Sequence, residues 1–155
     1  MSIAPVPLRR RFALVLGAAA SAALVLTVAA SAVIPVVKIA TDPFTNSTSQ
    51  HKTIVEPDSY SFGSTLVSAA QFGRFFDGGA SDIGFATSQN NGSTWTSGVL
   101  PGITGFTNPP GPYARVSDPS VAFDARHGVW MISSLALNSS PSGVAVMSTA
   151  PRTAA

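Results

Sequence analysis

Short apolar runs separated by turn-forming residues fill the chain from about residue 53 onward. The runs are rich in Val, Ile, Phe, Thr and Ser, and Gly, Pro, Asn and Asp lie between them. Such runs are typical of β-strands, and no segment there keeps a helical period. The pattern predicts an all-β domain with strands near residues 64–71, 82–87, 121–124, 129–137 and 144–148.

The first 32 residues have a different pattern, that of an export signal. Arg9, Arg10 and Arg11 precede an apolar run over residues 12–30, and Ala30-Ser31-Ala32 fits a signal-peptidase site. The run approaches the roughly 20 residues that cross a bilayer, so an uncleaved hydrophobic helix that anchors the chain is the alternative. Arg9-Arg10 with Phe12 also resembles a twin-arginine signal. We expect a secreted or cell-surface protein that contacts the membrane only through residues 12–30, if the signal is uncleaved.

Charge and cysteine content narrow the kinds of partner. Three of the nine basic residues lie within residues 1–32 and none of the seven acidic ones does, so the remainder is nearly neutral. A surface for nucleic acid is therefore not expected. The chain has no cysteine, and its two histidines, His51 and His127, stand far apart. We expect no disulfide, no metal site and no cofactor.

Two sequence anchors indicate a duplicated unit. Glu56-Pro57 corresponds to Asp118-Pro119, with the prolines 62 residues apart, and the stretch ending at Ser88 corresponds to the one ending at Ser148, 60 residues later. Nearly equal spacings predict two sheet units that bury their faces against each other. The predicted organisation is a linker over residues 33–52 and a domain over residues 53–155.

The most informative motif is Ser88-Gln89-Asn90-Asn91-Gly92-Ser93-Thr94-Trp95. It resembles the Asp-box, Ser-x-Asp-x-Gly-x-Thr-Trp, of bacterial sialidases and related β-propellers, with Asn90 in place of the Asp. The structural residues would be Ser88, Asn90, Gly92, Thr94 and Trp95. Asn90 would bond the amides of its own turn, Gly92 would take a positive φ, and Trp95 would bury its ring between hairpins. The alternative is an ordinary Asn-Gly hairpin followed by a core tryptophan.

Residues before this motif extend the resemblance. Gly73-Arg74, Asp77-Gly78-Gly79 and Asp82-Ile83 are similar to the first blade of sialidases, and Asp118-Pro119 looks like the start of the next blade. The resemblance implies about two four-stranded antiparallel blades of an incomplete, six-bladed β-propeller. Blade one would cover residues 53–112, and a truncated blade two would cover residues 113–155.

The same resemblance suggests candidate chemistry. Asp77 stands where that family has an acid/base aspartate, and Arg74 where an arginine contacts a substrate anion or hydroxyl group. An aspartate could protonate a glycosidic oxygen if burial raised its pKa. Asp77 followed by two glycines also fits an ordinary turn. The aromatic residues could stack on sugar rings or pack in the core; they are Phe72, Phe75, Phe76, Phe106 and Tyr113.

The departures from the family weaken the enzymatic interpretation. Val55-Glu56-Pro57 occupies the place of the Arg-Ile-Pro whose arginine opens the carboxylate clamp in sialidases. The tyrosine nucleophile and the later clamp arginines of that family would lie in blades beyond this sequence. We therefore expect an exported protein resembling sialidases and exo-glycosidases that is an inactive, truncated fragment. The alternative is a non-catalytic secreted propeller that binds glycans or proteins at the cell surface.

Overall fold

The computed structural model describes residues 36–138 and the backbone of residues 143–149, and this part of the chain is all-β. The predicted export segment, residues 1–32, lies outside the described residues. No helix long and apolar enough to cross a membrane was found among the residues that were described. The strands are β1 Ile54–Phe62, β2 Thr65–Arg74, β3 Ala80–Ser88, β4 Thr96–Val99, β5 Arg115–Asp124, β6 Val129–Leu137 and β7 Gly143–Thr149.

The strands form one open antiparallel sheet in the order β1-β2-β3-β5-β6-β7, with β4 paired to β3. Strand β3 has two partners on its second side. Residues 84–87 pair with β4, whereas Ala80 pairs with Val116 at the start of β5. We call β1–β4 unit one and β5–β7 unit two. Two separate four-stranded blades were expected, but the described residues of unit two form three strands, and the Ala80 bridge joins the units into a single sheet.

All five predicted strands are confirmed, and the structure adds β1 and β4. Strand β1 was missed because it contains Pro57, which has no N–H for the ladder, and because its residues are mostly exposed. Strand β4 was missed because Thr96-Ser97-Gly98-Val99 is short and has little apolar character. Both strands lie beside more apolar neighbours, so their pairing is determined by β2 and β3 and not by their own composition.

The duplicated unit is visible as two identical irregularities of the backbone. Glu56 has a φ of 51° and Asp118 a φ of 49°, and each precedes a proline. The ladder of β1 shifts register between Val55 and Asp58, and that of β5 shifts between Ser117 and Ser120. A bulge accommodates a proline because the extra residue leaves the ladder. The 62-residue spacing predicted from the two prolines is therefore confirmed.

The second predicted spacing is wrong by two residues. After the bulges, Asp58 pairs with Ala69 and Ser120 with Ser133, so Ala69 and Ser133 are equivalent. The following ladders pair Ser68 with Ala86 and Ile132 with Ser148. Ser148 is thus equivalent to Ala86 and not to Ser88. The cause is the turn between β5 and β6, residues 125–128, which is longer than the turn at residues 63–64.

A tryptophan lies at the centre of the main core, between the two units. Trp130 on β6 is 3% exposed, with its ring centroid 4.8 Å from Phe123 and 6.1 Å from Tyr60 of unit one. Unit two packs this side of β6 onto the face of unit one that contains Val67, Ala69 and Ile83. The buried members of the core are Val67, Ala69, Ala80, Ile83, Leu100, Ile103, Val116, Val121, Trp130, Ile132 and Ala136.

Asp58 fastens the two units by hydrogen bonds. Its carboxylate on β1 accepts the Val121 N–H at 2.7 Å and the Ser120 hydroxyl at 3.1 Å, and both donors belong to β5. The bond from the Val121 amide is the main reason that the pKa of Asp58 is lowered. The ionised carboxylate therefore stabilises the contact between units.

The segment predicted as a linker packs on the sheet along much of its length. Phe44 is buried with Ala70 and Phe72 in a second, smaller core cluster. The Asp42 carboxylate accepts the Phe44 N–H at 2.8 Å and the Thr53 N–H at 3.0 Å, which fixes the path of the chain into β1. Residues 40–44 are therefore part of the folded domain.

The position of Trp130 predicts a large and specific effect on stability. Trp130→Ala should lower the free energy of unfolding by about 3–5 kcal/mol, because it removes the largest side chain between the units. Trp95→Ala is the matched control, since Trp95 is half-buried and outside both core clusters, and its loss should be smaller. Urea denaturation followed by circular dichroism measures both. Equal losses for the two variants would contradict this assignment of the core.

Candidate functional site

The residues of the predicted Asp-box form a closely hydrogen-bonded turn between β3 and β4. The Ser88 hydroxyl donates to Asn90 Oδ1 at 3.0 Å and accepts the Gly92 N–H at 2.9 Å. Asn90 Oδ1 also accepts the Thr94 N–H at 2.9 Å, and Asn90 Nδ2 donates to the Thr94 hydroxyl at 2.9 Å. Gly92 has a φ of 83°. Each polar member of the motif thus bonds within the turn, so this segment is structural and offers no reacting group.

Trp95 does not lie between the units, where the sequence had placed it. Its indole is half-buried, and its N–H donates to the carbonyl of Gly92 in the same turn at 3.0 Å. The ring therefore closes its own hairpin. The aromatic contact between units is made by Trp130, which the sequence analysis had assigned to a strand without giving it a special role.

Asp77 lies in the turn between β2 and β3, and its environment favours the ionised form. Its side chain is 73% exposed and forms an ion pair with Arg115, with 3.0 Å between Oδ1 and Nη1. The hydrogen bond from Arg115 is the main cause of the lowered pKa of Asp77. A proton donor needs the opposite shift. The burial that would have raised the pKa is thus absent at this position.

Arg74 has a separate set of contacts at the end of β2. Its Nη1 donates to the Gln50 side-chain oxygen at 3.3 Å, and its carbonyl accepts the Gln50 N–H at 2.7 Å. Among the described residues, Arg74 and Asp77 share neither a hydrogen bond nor an ion pair. The guanidinium beside Asp77 is that of Arg115, which the sequence analysis missed because 38 residues separate the two.

Arg115, Asp77 and nearby aromatic rings form one mixed surface patch. The Arg115 guanidinium also donates to the Gly78 carbonyl at 2.9 Å and lies 5.1 Å from the centroid of the Phe75 ring. Phe75 makes an edge contact with Phe106 at 5.9 Å, and Phe106 is partly exposed. Phe76 is 75% exposed. We call Phe76, Asp77, Phe106 and Arg115 the aromatic patch. Of the predicted stacking residues, Phe72 and Phe75 are instead buried.

A second aspartate, Asp82 on β3, is completely buried. Its Oδ1 accepts the Ile83 N–H at 2.6 Å, and its Oδ2 lies 2.9 Å from the Thr104 hydroxyl oxygen. That hydroxyl lies 2.5 Å from the Ser81 carbonyl, which can only accept. If Thr104 gives its single proton to Ser81, the contact with Oδ2 requires a proton on Asp82. Burial raises the pKa of Asp82 to about 6, which agrees with this arrangement.

The remaining polar groups offer no further centre. Within residues 36–138, no three His, Asp or Glu side chains come together as metal ligands. Asp124 accepts the N–H groups of Arg126 and His127, and its carboxylate contacts the His127 ring, so both residues belong to the β5–β6 turn as predicted.

No family model, curated protein or solved structure matches this chain. The kinship with sialidases therefore stays a prediction from the sequence motif.

The turn geometry predicts how substitutions at Asn90 behave. Asn90→Ala should lower the free energy of unfolding by about 1 kcal/mol, because the Thr94 N–H loses its acceptor. Asn90→Asp is the matched control and should retain stability, since one carboxylate oxygen accepts this N–H and the other accepts the Thr94 hydroxyl proton. Thermal denaturation measures both variants. A loss with Asp as large as with Ala would contradict the assigned bonds.

Asp82 predicts a pH dependence of stability. Its pKa is about 6 in the folded chain, against 3.8 as the ordinary value, so the folded state binds more protons between these values. The free energy of unfolding should therefore fall by about 3 kcal/mol as the pH rises from 3.8 to 6, and should then level off. Asp82→Asn should remove this decrease. Parallel curves for the wild type and Asp82→Asn in urea denaturation from pH 4 to 7 would contradict the prediction.

Proposed function

We propose that this chain is an exported, Asp-box type β-repeat protein of the sialidase-like kind that binds glycans through the aromatic patch and does not hydrolyse them. The observation that supports binding without hydrolysis is the Arg115–Asp77 ion pair within a group of accessible aromatic rings. The proposal includes a propeller-like arrangement of the sheet units. The hydrogen-bonded turn at Ser88–Trp95 and the repeated bulges support that part.

The patch has the chemistry that sugars require. The rings of Phe76 and Phe106 offer apolar faces to the C–H side of a pyranose, and Asp77 accepts hydroxyl protons while Arg115 donates to hydroxyl or carboxylate oxygens. The ion pair and the stacking of Arg115 on Phe75 hold these polar groups in fixed positions before a ligand arrives. A preorganised site loses less conformational entropy on binding.

Hydrolysis is disfavoured by the protonation states of the two candidate acids. Glycosidases use two carboxyl groups, one of them protonated near neutral pH. Asp77 is accessible, but Arg115 keeps it ionised. Asp82 has a raised pKa, but it is completely buried and cannot reach a glycosidic oxygen. Within the described residues, the accessible position and the protonated position are therefore occupied by different aspartates.

An array of sialylated, galactosylated and glucosylated oligosaccharides tests the binding function. The chain should bind at least one glycan class, and Phe76→Ala should weaken that affinity about two- to tenfold, as expected for the loss of about 0.5–1.5 kcal/mol from one aromatic contact. Asp77→Asn should weaken it as well, since it removes the partner that orients Arg115. Val37→Ala, at another exposed apolar position, is the control and should bind as the wild type does.

Incubation with fluorogenic sialosides and galactosides tests the absence of hydrolysis. The wild type and Asp77→Asn should both give the rate of the buffer blank. Turnover by the wild type that Asp77→Asn abolishes would overturn the non-catalytic proposal. Failure of every glycan to bind, or equal binding by all variants, would overturn the assignment of the aromatic patch.

A further inference from the structure

Unit one has an apolar face that unit two does not cover. This outer face consists of Ile54, Ser68, Ala70 and Ala86, whose side chains lie on the side opposite the main core. A pocket of about 180 Å³ opens there, and its lining is almost entirely apolar. Ile54 is 39% exposed. Small side chains across three strands make a surface onto which another sheet can pack closely.

Unit two also has an uncovered face. Its β6 residues alternate, so Trp130, Ile132 and Ala136 are in the main core, while Met131, Ser133 and Leu135 point to the other side. We call these last three residues the far face. Leu135 is 40% exposed, and Met131 and Ser133 are partly buried.

The repeat shows that the two uncovered faces are the two halves of an interface that already exists within the chain. The ladders make Ala69 equivalent to Ser133, so the far face of unit two corresponds to the face of unit one on which unit two packs. By the same registers, Ala70 and Phe72 on the outer side correspond to Ser134 and Ala136 on the core side of β6. Unit two thus lies on unit one in the way that another unit could lie on the far face.

The segments that precede the two units support this equivalence. Leu100 and Ile103, ahead of β5, are buried in the core between the units. Ala40 and Phe44, ahead of β1, pack in the same manner on the outer side of unit one against Ala70 and Phe72. The leading segment therefore contributes to this face and leaves the pocket beside Ile54 open.

We propose that copies of this chain associate head to tail, with the far face of one copy packed on the outer face of the next. Such a contact is heterologous, because each copy uses two different surfaces, and it builds a ring if the rotation closes and a filament otherwise. The occupant of the outer face is thus a second copy of this chain. This inference does not depend on the glycan-binding function.

Sedimentation velocity of the full chain, with one charge introduced on each face, tests the proposal. The wild type should form species larger than a dimer. Ile54→Glu destroys the outer face and Leu135→Lys the far face, and both positions are exposed enough for the chain to fold. Each variant alone should be monomeric. An equimolar mixture should give dimers and nothing larger, since each variant retains the face that the other lacks. Phe76→Glu, at a more exposed position outside both faces, should assemble as the wild type does.

Several results would overturn head-to-tail association. A monomeric wild type at 100 μM, on the order of ten times a typical weak self-association constant, would do so. Full association of either single variant would show that one face pairs with itself or that another region, such as the apolar run at residues 12–30, drives association. A mixture that remains monomeric, or a Phe76→Glu variant that dissociates, would also contradict the proposed surfaces.

Discussion

A sheet unit of this size has two apolar faces and cannot cover either of them alone, and this constraint organises the whole structure. Unit one buries one face only because β5 and β6 lie across it, with Trp130 at the centre of the contact. The Asp58 carboxylate then satisfies the Val121 amide at the same junction. Packing and polar satisfaction thus act at one place. The fold of each unit depends on the presence of the other.

The two best-defined aspartates illustrate how position decides chemistry. Asp77 lies in a turn where solvent and Arg115 both stabilise its charge, whereas Asp82 lies beneath the Thr104 loop where burial penalises that charge. Accessibility and a raised pKa therefore exclude each other at these two residues. An acid catalyst needs both properties at once. This separation is the physical basis for assigning the accessible turn to binding.

Much of the fold could be predicted from the sequence, because the apolar runs of β2, β3 and β6 and the two Xaa-Pro pairs are local signals. Strand β1 could not be, since its pairing is imposed by β2. The turn from Ser88 to Trp95 was predicted correctly because all its polar bonds are local, but the burial of Trp95 and Trp130 was not, since tertiary packing decides which indole is central. The partner of Asp77 was missed for the same reason: the Arg115 contact depends on how β5 crosses the sheet.

The location of the aromatic patch matters if copies stack as proposed. Phe76 and Asp77 lie in the turn between β2 and β3, at an end of the sheet, whereas the outer and far faces are the broad sides of the units. Stacking would therefore leave each patch open and would repeat it once per copy. Repeated weak sites on one assembly gain affinity through effective concentration without any new contact at the site itself. A patch with only two accessible rings could then hold a multivalent glycan surface, so the uncovered faces and the modest binding site become parts of one arrangement.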